Sequence, residues 1–89
     1  MRVHLVVRGR VQGVGFRWFV REAARELDVA GWVRNRPDGG VEVAADGSVA
    51  ALRELAERLR EGPRGASVSG VEELTNDDGE LPKPFAIVR

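Results

Sequence analysis

Apolar positions near the start of the chain alternate. Val3, Leu5 and Val7 interleave with His4 and Arg8, the period-two pattern of a half-buried strand. From Phe16 the period lengthens. Phe16, Phe19, Val20, Ala23, Ala24 and Leu27 recur at i, i+3, i+4, i+7, i+8 and i+11, one stripe of a helix about three turns long. Asp28 follows, a residue type that tolerates the left-handed conformation at a helix end. "VAGWVRN" resumes an extended pattern, "RPDGG" sets Pro and Gly where turns favour them, and "VEVAA" alternates again, so the pair predicts a hairpin. Ser48 is an N-cap candidate for a second helix with the stripe Leu52, Leu55, Ala56 and Leu59, and "EGP" at Glu61 to Pro63 stops it. "ASVSGVEEL" predicts a fourth strand bulged at Gly70. "TNDDGELPKP" is a polar loop, and "FAIVR" adds a short fifth strand.

The order is βαββαβ with one strand appended, and residues 1–89 are expected to form one domain. This predicts an α+β fold of the ferredoxin-like split βαβ type: an antiparallel sheet with two helices on one face and a short C-terminal strand. In that arrangement the first two strands run parallel with the third between them, so their C-terminal ends share one sheet edge. "GRVQGVGFRWF" leaves the first strand at that edge, and Arg34-Asn35-Arg36 leaves the second. About 10 Å, two strand spacings, separates them.

Composition narrows the chemistry. The 89 residues carry 14 basic and 14 acidic side chains, and this balance argues against a dedicated binder of nucleic acid or anionic membrane. No cysteine is present, which removes thiolate nucleophiles, Cys-based zinc sites and disulfides and fits a reducing, cytoplasmic setting. The single histidine, His4, cannot build a His-rich metal site and is expected to be a structural strand residue. No apolar run approaches the roughly 20 residues that cross a bilayer. A monomer without cofactor or metal is the expectation.

Three readings compete for "GRVQGVGFRWF". One is a plain turn, since Gly permits the positive φ that a tight strand-to-helix joint needs. A second is anion binding. Gly13 and Gly15 bracket Val14 just before a helix, so several N–H groups can converge at the positive end of its dipole. Arg17 lies in the first turn, where the dipole disfavours a cation unless an anion sits between them. No Gly-Lys-Ser/Thr follows, and Trp18 stands where the third glycine of a dinucleotide fingerprint belongs. The third reading is RNA binding, through a faint echo of an RNA-recognition signature. "VEVAA", the third strand, carries no aromatic on which a base could stack, which weighs against it.

"GRVQGVGFR" (Gly9 to Arg17) together with "GWVRNRPDGGVEVAADG" (Gly31 to Gly47) resembles the acylphosphatase family, and the element order and "FAIVR" ending agree. The resemblance covers essentially the whole chain. It implies metal-free hydrolysis of small acyl phosphates. On the matching positions it implies that Arg17 binds the phosphate, that Asn35 positions the attacking water, and that amides at Gln12, Gly13, Val14, Gly15 and Phe16 cradle the phosphate oxygens. Some members carry a cysteine where this chain has Gly15.

The chemistry is consistent without the family. An acyl phosphate is an activated anhydride, and phosphoryl transfer is catalysed mainly by positioning and by donors aimed at the equatorial oxygens. N–H groups and a forked guanidinium supply that. Asn35 can accept a hydrogen bond from water and aim its lone pair; as an isolated residue it is equally a turn-start Asn. Arg8, Arg10, Arg34 and Arg36 either steer anions or form a solvated rim. Trp18 and Trp32 are expected to be packing or partly exposed aromatics, and "NDDGE" a turn rather than a calcium loop. Two rivals stand beside the enzyme: a similar domain at the front of large carbamoyl-transferring maturation factors, and a non-catalytic anion- or RNA-binding module.

Overall fold

The computed structural model describes residues 1–75 and 79–89. Its elements follow the expected order: β1 (Arg2–Arg10), α1 (Phe16–Glu26), β2 (Ala30–Asn35), β3 (Val41–Asp46), α2 (Val49–Glu61), β4 (Ser67–Glu73) and β5 (Ala86–Ile87). They build one sheet in the order β4-β1-β3-β2-β5. Strand β3 therefore separates β1 from β2, antiparallel to both. The ends of β1 and β2 meet at one edge, as the element order requires.

Both helices cover the same face. Val7 and Leu5 of β1, Val33 of β2 and Val41, Val43 and Ala45 of β3 form one core with Phe16, Val20, Ala23 and Ala24 of α1 and Leu52, Leu55 and Leu59 of α2. Ser48 caps α2 as expected, its hydroxyl accepting from the Ala51 N–H at 3.1 Å. Helix α1 has no side-chain cap; Gly15 occupies its N-cap at φ 75°. Asp28 takes the left-handed conformation at φ 58°.

Three features depart from the simple pattern. Strand β5 pairs parallel to β2, with Val33 opposite Ile87, so the sheet is mixed rather than antiparallel throughout. The bulge near Gly70 falls one residue earlier: Arg8 faces Gly70 and Gly9 faces Val68, leaving Ser69 as the extra residue. Val6, on the polar side of the β1 alternation, is fully buried beside Glu42 and Ala44. That second face also carries Trp32, edge-on to His4 and beneath the Arg34 guanidinium. Part of the expected "NDDGE" turn, Asn76, Asp77 and Asp78, lies outside the described residues. Among the described residues, no helix is long and apolar enough to cross a membrane.

Candidate active site

Gly13 and Gly15 both adopt positive φ, 77° and 75°, on either side of Val14. A Cβ on either would meet nothing within 4 Å, so the backbone conformation, not crowding, calls for glycine. Left-handed glycines on either side of a residue of negative φ are the backbone pattern from which N–H nests are built, and this one runs directly into the start of α1. Phe19 N–H makes the first helical bond, to the Gly15 carbonyl at 3.0 Å. Among the described residues, the N–H groups from Gln12 to Trp18 donate to no backbone carbonyl or side chain. That is a run of orphan donors at a helix N-terminus with no acidic residue in its first turn.

Arg17 and Asn35 line one cavity of about 320 Å³ with Gly13, Gly15, Phe16 and Trp18. The far wall comes from Ile87 and Arg89. Among the described residues neither Arg17 nor Asn35 makes a side-chain hydrogen bond or ion pair. Asn35 is the last residue of β2, its backbone paired with Val41, and its side chain is exposed. The structure thus brings Gly13, Gly15, Phe16, Arg17 and Asn35 together. Gln12 and Val14 contribute loop backbone but no wall of the cavity. Val14 packs against the core, and the Gln12 amide donates to the carbonyls of Arg36 at 2.8 Å and Gly40 at 2.9 Å.

The family model for acylphosphatase matches residues 3–87. The chain belongs to the acylphosphatase family. It is 48% identical over 85 residues to an acylphosphatase of Rhizobium etli, spanning 96% of this chain and 90% of that one. The crystal structure of acylphosphatase from Bacillus subtilis superposes with a TM-score of 0.85 at 40% identity, covering 99% of this chain and 98% of the other. The T. kodakarensis HypF structure matches at a TM-score of 0.84 and 30% identity, over all of this chain and 12% of HypF. The same fold therefore also occurs as a small part of a longer protein.

Behind the site of this acylphosphatase, on the open sheet face, lies a charge network. Glu42, only 3% exposed, accepts from Arg34 Nε at 3.0 Å and Arg36 Nη1 at 3.3 Å through Oε1, and pairs with His4 Nε2 through Oε2. Burial opposes its ionisation, but the His4 and Arg34 hydrogen bonds outweigh that and hold the carboxyl below the usual range. Arg34 also sits over the Trp32 ring, 4.8 Å from its centroid. Arg8 is paired with Asp38 at 2.9 Å and Glu72 at 3.3 Å, and Arg36 also binds Asp38. Of the four arginines at this edge, Arg8, Arg34 and Arg36 are each paired with a local carboxylate. His4 holds the structural strand position expected of it. Among the described residues, no group of three or more His, Asp or Glu could hold a metal ion.

Sequence reasoning missed Ile87 and Arg89 as wall residues. Strand β5 places them: Val33 pairs with Ile87 and its carbonyl accepts from Val88 N–H at 2.9 Å. Carrying that register two residues further sets Arg89 level with Asn35. No motif in "FAIVR" announces this, because a two-residue strand has no register of its own until a partner supplies one.

Proposed function

We propose that this acylphosphatase hydrolyses small acyl phosphates to a carboxylate and inorganic phosphate, with Arg17 and the loop amides binding the phosphoryl group and Asn35 orienting water. One observation carries the reading. Orphan N–H donors, a guanidinium without a carboxylate partner and a free carboxamide surround the same cavity.

The amides of Gln12 to Phe16 and the fork of Arg17 hold the equatorial oxygens, where negative charge concentrates as the P–O bond loosens. The Asn35 carbonyl oxygen accepts a hydrogen bond from water and aims its lone pair at phosphorus. The water oxygen forms the new bond to phosphorus while the bond to the acyl oxygen breaks, and the carboxylate departs with that electron pair. The water proton passes to the phosphate, whose own oxygens are the nearest bases. These steps require no metal ion and no covalent intermediate. Favourable binding of phosphate in the cup is uniform binding; catalysis comes from donors that tighten as charge builds on the oxygens.

Hydrolysis of benzoyl phosphate with and without EDTA tests the reading. Turnover unaffected by EDTA is the expected result. Tight phosphate binding without turnover would instead identify an anion-binding module.

A further inference from the structure

Trp18 is 59% exposed, the most exposed large hydrophobic residue after Met1, yet it lines the cavity that holds Arg17 and Asn35. Folding does not explain it. The buried stripe of α1 is Phe16, Val20, Ala23 and Ala24, and Trp18 projects away from that stripe. Trp32 is engaged, edge-on to His4 with centroids 5.7 Å apart and beneath Arg34. Among the described residues Trp18 has no aromatic or cationic partner.

The direction of the chemistry assigns it a role. In-line displacement puts the attacking water and the leaving oxygen on opposite sides of phosphorus. Asn35 holds the water from the sheet edge, so the acyl group departs away from β2. The wall on that side is the first turn of α1, where Arg17 takes the phosphoryl oxygens and Trp18 comes next. A second cavity of about 480 Å³, lined by Arg34, Arg36 and Pro37, shares Asn35 and Arg89 with the first and lies at the end of β2, where Asn35 holds the water, with no residue of α1 in its wall. In-line geometry keeps the acyl group out of it.

We propose that Trp18 is the acyl-group shelf of this site, its indole face packing on a flat or apolar acyl chain and favouring aromatic acyl phosphates over small ones. This rests on the acyl phosphate reading above. A ring stacked on the indole removes apolar area from water in the complex, while the single methyl of an acetyl group covers little of the indole. The contact is to the acyl group, not to the phosphoryl oxygens on which charge builds, and forms before the barrier, so it acts mainly on KM.

The test compares kcat/KM for benzoyl phosphate and acetyl phosphate. Trp18→Ala is expected to lower the benzoyl-to-acetyl ratio by roughly tenfold, chiefly through the benzoyl KM, and Trp18→Phe to restore most of it. A ratio unchanged within about twofold overturns the shelf. A second measurement does not depend on that variant's turnover. In a Trp32→Phe chain, whose only indole is Trp18, 2-oxo-2-phenylethylphosphonate should shift the fluorescence, and inorganic phosphate should not. Equal responses to both would also overturn it. Absence of turnover of either substrate by the unmodified protein would be a failure of the acyl phosphate reading itself, which these two readouts separate from a failure of the shelf.

Discussion

The side-chain amide of Gln12 donates to the Arg36 carbonyl at 2.8 Å and, in a fork, to the Gly40 carbonyl at 2.9 Å. The glycine loop therefore hangs on the turn that immediately follows Asn35. Arg36 N–H closes that turn onto the Gly40 carbonyl at 2.8 Å. One side chain thus fixes the distance between the two halves of the site. Gln12→Leu keeps the volume and removes both donors. It is expected to cost about 1–3 kcal/mol in chemical denaturation and to lower kcat for benzoyl phosphate by roughly tenfold or more. An unchanged kcat would mean that the loop backbone holds its position unaided.

Arg17 and Asn35 should separate kinetically. Arg17→Ala is expected to lose phosphate binding and turnover together. Arg17→Lys keeps the charge without the fork and should fall between. Asn35→Ala should lose turnover by roughly 10²-fold, the scale of a lost transition-state donor, while inorganic phosphate still inhibits. Near-normal hydrolysis by Asn35→Ala would refute water positioning.

The left-handed N-cap makes a backbone prediction. Gly15→Ala meets no atom but must hold φ at 75°, so strain alone of about 1–2 kcal/mol is expected. Gly15→Asn should cost less, since Asn visits that region more readily. Equilibrium denaturation of both variants measures the difference; equal stabilities would show that the loop relaxes to another conformation.

The buried carboxylate sets an acid limit. Glu42 ionises in the fold below its ordinary value of 4.5. The unfolded chain therefore binds more protons in that window, and stability rises with pH across it. The Glu42 contribution is fully present above about 4.5 and is lost as pH falls through the folded value. Glu42→Gln should cost about 3 kcal/mol at neutral pH by leaving Arg34, Arg36 and His4 without their anion. The gap between wild type and variant should narrow on acidification below that point. A gap independent of pH between 3 and 7, on the scale where carboxylates titrate, would exclude the ion pair as its source.

The periodicity of Val3–Val7, of the Phe16 stripe and of "VEVAA" determined the elements and their order by itself, because local sterics and burial of one face act within a few residues. The two glycines around Val14 ahead of an apolar helix likewise located the left-handed loop at the start of α1, though not which of its three readings holds. Even the meeting of Arg17 with Asn35 followed from connectivity, because a split βαβ must bring the ends of β1 and β2 to one edge. Only the tertiary structure decided the rest. The parallel pairing of β5 carried Ile87 and Arg89 to the site, Gln12 turned from the cavity to lock the Arg36 turn, and Glu42 gathered His4, Arg34 and Arg36 beneath the sheet. These are contacts between residues distant in the chain, and their partners are set by register and side-chain reach, which no local pattern encodes.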